Sequence, residues 1–170
     1  MDIVHLHLML NHVPVIGIVF GLVVLAWGVM RRSDEVKIVG LVALILAALV
    51  ALPVYFTGEP AEEIVEKLPG VSEGLIGLHE DSATLSLIFA MIAGGLAFVS
   101  LITRRAGSAA VAKFMVIATL LVSAGTSLLM ARTANLGGQI RHSEITAGTT
   151  TGTQQQPNTQ RHGGDDDDND

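Results

Sequence analysis

Residues 38–56 read IVGLVALILAALVALPVYF, nineteen consecutive positions without Lys, Arg, Asp or Glu. A helix needs roughly 20 apolar residues to cross about 30 Å of hydrocarbon, and this run matches that length. Inside lipid every backbone group has to bond within its own segment, which makes the run a helix rather than a strand. A helix of a soluble bundle would carry a polar stripe, and whole turns here, such as Leu41–Leu52, carry none. Three further charge-free stretches repeat the pattern: Val13–Met30, Ser82–Thr103 and Phe114–Ala131. The expected fold is therefore an all-α membrane protein, a four-transmembrane-helix up-down bundle. Its spans fall at about 10–30, 38–57, 79–103 and 110–133, within a body of residues 1–145.

The composition of the whole chain agrees. Of 170 residues 50% are hydrophobic and 15% are charged, against about a quarter charged in a soluble domain. Mean hydropathy is +0.56. There is no Cys, which excludes a disulfide scaffold, a Cys-ligated zinc or iron–sulfur centre, and c-type haem attachment. No Walker loop, G-x-S-x-G or H-E-x-x-H is present. No base–nucleophile pair is legible either, so catalysis by the chain alone is not expected.

The net charge of −6 is uneven. Residues 1–143 hold nine basic and ten acidic side chains; Glu144, five Asp and Arg161 lie beyond. Nothing is basic enough to bind nucleic acid. Residues 146–170, rich in Thr, Gly, Gln and Asn and ending in an Asp run, read as a disordered acidic tail.

Within the body, charge sets the expected orientation. Arg31, Arg32 and Lys37 occupy the first loop, and Arg104, Arg105 and Lys113 the third. The other side holds only Lys67, Arg132 and Arg141 against eight acids. The positive-inside rule then puts both termini outside, in the periplasm of a bacterial inner membrane. The first span has no basic residue before it, unlike a cleaved signal peptide.

The one substantial loop is Thr57–Asp81. Glu59-Pro60 opens an expected short helix, Ala61–Leu68, which Pro69-Gly70 ends. Ser72 is placed to cap a second one, Glu73–Leu78, leading into span three. In the spans, Gly40, Gly94, Gly95 and Gly125 allow close helix packing.

Histidine supplies the functional signal. His5, His7 and His12 precede or begin span one, His79 begins span three and His142 follows span four. All five converge on the outer end of the bundle. Imidazole is the commonest metal ligand, and helical bundles build cofactor sites from facing helices. If the first helix already includes residue 5, His5 and His12 lie on one face, about 10.5 Å apart along the axis. If it starts near His12, as Pro14 allows, His5-x-His7 is an extended lead-in.

Haem needs two axial ligands on opposite faces of a flat ring. His12 with His79 is the first pair expected; His7 and His142 come next. Arg132 and Arg141 would pair with propionates. Zinc would need three or four ligands around one point, drawn from His5, His7, His12, His79 and His142 with Glu59 and Glu80. Copper would use His with Met9 or Met130. Asn11, Thr57, Glu59, Thr126, Ser127, Thr133 and Asn135 are candidates for supporting bonds to these histidines.

Five segments together carry a resemblance. They are His5-x-His7-x-x-x-Asn11-His12-x-Pro14-x-x-Gly17, Thr57-Gly58-Glu59-Pro60-Ala61-Glu62-Glu63, Leu68-Pro69-Gly70-Val71-Ser72-Glu73, His79-Glu80 and Gly137-Gly138-Gln139-Ile140-Arg141-His142. The chain resembles uncharacterised small bacterial four-helix membrane proteins with a His-rich, Pro-containing opening, over roughly residues 5–145. That group is in turn distantly similar to b-type cytochromes, with histidines at the ends of a four-helix bundle.

The function expected is membrane electron transfer by a b-type haem protein or subunit, with the haem near the outer face. Partners would be a quinol, a periplasmic redox protein or a larger membrane complex. The alternatives are a His/Glu protein binding copper or zinc, and a cofactor-free structural subunit.

Overall fold

A computed structural model describes residues 2–141, with side chains to residue 140. His142 and the acidic tail lie outside the described residues. Six helices follow one another: α1 (Ile3–Leu10), α2 (His12–Met30), α3 (Asp34–Phe56), α4 (Gly58–Val65), α5 (Glu73–Arg105) and α6 (Ala109–Arg141). α2, α3, α5 and α6 are the expected spans, closed into a bundle. α2 packs on α3, α3 on α5, α5 on α6, and α6 returns to α2.

The breaks have local causes. Pro14 has no N–H to give to Leu10, and the α1–α2 interruption falls at Asn11, between them. The chain is nonetheless helical from Ile3, so His5 and His7 are on a helix and not on an extended lead-in. α4 begins three residues earlier than expected, because Gly58 follows α3 after the single residue Thr57 and Pro60 still falls in the first turn. The short helix expected at Glu73–Leu78 is not separate. Nothing between Leu78 and Ser82 breaks a helix, and α5 runs through without interruption. Ser72 occupies its N-cap position with extended backbone, yet its side chain makes no capping bond.

Large apolar side chains face outward. Phe20, Trp27, Leu46, Phe98, Leu121 and Leu128 are all more than half exposed, as lipid-facing residues are in a bilayer protein. The interior holds Ile18, Leu25, Leu41 and Leu44 with many small residues, including Ala47, Ala51, Ala90 and Ala97. α2 and α3 meet along glycines. A Cβ on Gly40 would lie 2.6 Å from Leu25 N, and one on Gly28 would lie 2.7 Å from Lys37 N. Gly17 and Gly21, a G-x-x-x-G pair on α2, would meet Ala47 and Leu44 at 2.8 Å each.

α5 and α6 meet through hydroxyls instead. Ser82, Ser86, Ser100, Thr119, Ser123 and Thr126 are buried on these two helices. Ser100 Oγ and Thr119 Oγ1 are 3.2 Å apart. Thr119 Oγ1 also donates to Met115 O at 2.8 Å, and Ser100 Oγ to Leu96 O at 2.8 Å. Except for Ser123 Oγ, which has no partner among the described residues, these small hydroxyl side chains satisfy themselves while letting the helices approach.

The two ends of the bundle differ in chemistry. At one end Asp34 bonds Lys37 at 2.9 Å and Arg104 at 3.2 Å, tying the start of α3 to the end of α5. The α2–α3 turn there ends with Ser33 N–H on Gly28 O and Arg32 N–H on Val29 O. This is a Schellman closure, and its left-handed residue is Arg32 at φ 54°. The other end carries α1, α4, the start of α5 and the end of α6, and with them the histidines.

Candidate functional site at the histidine-bearing end

His7 and His79 are half-buried; His5 and His12 are exposed. The difference follows from what each helix faces. α1 lies on α4, so His7 turns into the α3–α4 junction. Its Nδ1 is 3.1 Å from Val54 O and 3.2 Å from Thr57 Oγ1. Thr57 Oγ1 donates its own proton to Val54 O at 2.8 Å. A carbonyl can only accept, so the His7 proton resides on Nδ1 and the lone pair on Nε2.

His79 repeats the arrangement on the next helix pair. Its Nδ1 donates to Thr133 O on α6 at 3.0 Å. The α6 backbone can lie against the ring because residue 137 is Gly. A Cβ there would be 3.0 Å from His79 Cε1 and 3.2 Å from Nδ1. Below the ring, Thr133 Oγ1 donates to Leu129 O at 3.0 Å and accepts from Ser82 at 2.7 Å and Ser86 at 2.9 Å. These bonds tie α6 to α5 beside the His79 site.

His7, on α1, and His79, on α5, both lie at this end of the bundle. Both therefore offer an unprotonated Nε2 at the same end of the bundle. Imidazoles that ligate iron or zinc are oriented in this manner, with the second nitrogen bonded to a carbonyl or carboxylate. His12 differs. Its Nδ1 bonds Leu8 O at 3.1 Å, one turn back on its own segment, and the ring stays exposed. The pair the structure anchors between helices is thus His7 and His79.

Among the described residues, no three His, Asp or Glu come together to hold a metal ion. Glu59 and Glu80 are both exposed. Glu62 is partly buried at this end of the bundle, with Glu59, Glu66 and Glu80 near it. Arg132 is exposed, and the side chain of Arg141 lies outside the described residues. Asn11 Oδ1, one turn beyond His7, is a buried acceptor with no donor among the described residues. Tyr55 and Thr84 share a hydrogen bond of 3.0 Å, linking α3 to α5 just inside this end.

Sequence reasoning reached Thr57 and Thr133 as neighbours of histidine but not Ser86 or Gly137. Gly137 had a signal, since a glycine near the end of a helix facing a histidine permits close approach. Comparison with family models, curated proteins and solved structures finds no match to this chain. Of the resemblance carried by the His-rich opening, the four-helix membrane architecture is what the fold bears out.

Proposed function

We propose that the chain is a b-type haem-binding electron-transfer protein or subunit, in which His7 and His79 would hold the haem. The matched anchoring of these two imidazoles carries the reading: each gives Nδ1–H to a carbonyl of a neighbouring segment. Two anchored imidazoles would suit haem, which takes two protein nitrogens, better than zinc, which takes three or four ligands around a point and finds no such cluster among the described residues.

Bound haem would supply reversible one-electron chemistry at its iron. The protein's part is to hold both rings and their tautomers. Donation from Nδ1 raises the basicity of Nε2 and fixes its direction. Gly137 lets α6 press on the His79 ring, and Thr57 shares the Nδ1–H of His7. The apolar outer surface keeps the bundle in the bilayer, where a quinol could reach the site.

Six basic residues at the far end favour the cytoplasmic side. The histidine end then faces the periplasm of a bacterial inner membrane, with both termini outside. A periplasmic redox protein or a larger membrane complex would be the electron acceptor.

Haem titration of the purified full chain, followed by visible absorption, tests the pairing. His7→Ala and His79→Ala lose the six-coordinate spectrum, while His5→Ala and His12→Ala keep it. All four keep their helical circular dichroism. Retention of the spectrum in His7→Ala with loss in His12→Ala would overturn the assignment.

A further inference from the structure

The basic end carries a second, independent feature. An open groove of about 510 Å³ lies along the end of α2, lined by Val23, Val24, Ala26, Trp27 and Met30 and closed on one side by Val36 of α3. Its walls are wholly apolar, and Trp27 and Met30 stand out from the bundle at 54% and 73% exposure. At its mouth the Arg31 guanidinium stacks over the Trp27 ring, 5.7 Å from the centroid. Arg32 follows, exposed and held in the left-handed region where glycine is the ordinary residue. Six basic residues against two acidic ones, Asp34 and Glu35, cluster at this end of the bundle. Lys37 and Arg104 are paired with Asp34, whereas Arg31 and Arg32 have no acidic partner among the described residues.

We propose that this groove is a binding site for one anionic phospholipid of the surrounding bilayer. An acyl chain lies along Val23, Trp27 and Val36, and Arg31 and Arg32 hold the phosphate. An apolar trough leading to unpaired guanidinium groups at the membrane surface matches an amphiphile with a negative head. A zwitterionic lipid fills the trough equally well but leaves the positive charge at its mouth unbalanced. The strained backbone at Arg32 fits this role, because the closure of the turn calls for glycine and arginine supplies only charge.

Trp27 is the one tryptophan of the chain, so its fluorescence reports on the groove alone. The protein is reconstituted into equimolar phosphatidylglycerol–phosphatidylcholine vesicles, with one lipid at a time brominated in the upper part of an acyl chain. Brominated phosphatidylglycerol should quench Trp27 more than brominated phosphatidylcholine. The difference should correspond to a preference of roughly fivefold for each arginine engaged, and it should shrink as salt is raised. Arg32→Gly keeps the turn and should lose its share of the preference; Arg105→Gln, on a helix that does not line the groove, should keep it. Equal quenching by the two lipids overturns the proposal. Equal loss in Arg32→Gly and Arg105→Gln also overturns it, since that reports general attraction to the basic end.

Discussion

Replacing Gly40 by Ala tests how α2 and α3 are joined. The added Cβ would sit 2.6 Å from Leu25 N and 2.8 Å from both Cα and Cβ of Leu25. Carbon contacts are comfortable near 3.5–4.0 Å, so the helices would have to part by about 1 Å at this level. Two of the three atoms are backbone and cannot rotate away. The same seam holds Gly28 against Lys37 and Gly21 against Leu44, so separation at one level loosens the others. Overpacking of this kind costs about 1–3 kcal/mol, while Ala gains up to about 1 kcal/mol over Gly in helix propensity.

A net loss of about 1–2 kcal/mol is expected for Gly40→Ala. Gly95→Ala is the control, because a Cβ there meets nothing within 4 Å; it should be neutral or stabilising by up to about 1 kcal/mol. Unfolding of the two variants in mixed micelles, followed by circular dichroism, measures the difference. If Gly40→Ala is as stable as Gly95→Ala, the close α2–α3 approach is wrong.

Three further outcomes follow from particular contacts. Arg32→Gly should raise stability by about 1 kcal/mol in the same unfolding assay, because a non-glycine residue at φ 54° is strained. Thr133→Val should cost about 1 kcal/mol by removing the acceptor of Ser82 and Ser86. It should leave any haem spectrum unchanged, since His79 bonds the backbone carbonyl of residue 133 and not its hydroxyl. Gly137→Ala should push the His79 ring by a few tenths of an ångström and speed haem release, whereas Gly138→Ala, in open space, should not; stopped-flow transfer of haem to an apo-acceptor reads both.

The four spans were legible in the sequence because a bilayer demands long charge-free runs, and 38–56 states that demand without any tertiary information. The end-to-end asymmetry of charge and histidine was legible for the same reason: span order alone decides which residues share an end. The choice among the histidines was not. Whether His7 turns inward depends on the rotation of α1, set by its packing on α4, and His12 lies across the break at Asn11 on α2. Periodicity says nothing about either. The glycine seam was only partly visible. Gly40 stands out in an aliphatic run, whereas Gly17 and Gly21 matter because Ala47 and Leu44 lie opposite them. Bounds of the loop helices shifted because a single residue, Thr57, separates α3 from α4, and turn chemistry at that scale is weakly encoded.

The central claim is that His7 and His79 together present two Nε2 atoms to one haem. The most direct measurement is the dithionite-reduced absorption spectrum of the purified, haem-reconstituted full chain, recorded with and without carbon monoxide. The account predicts a Soret band with sharp low-spin α and β bands that carbon monoxide leaves unchanged, as two protein ligands require. No Soret band after reconstitution, or a spectrum that carbon monoxide converts at once, would contradict it.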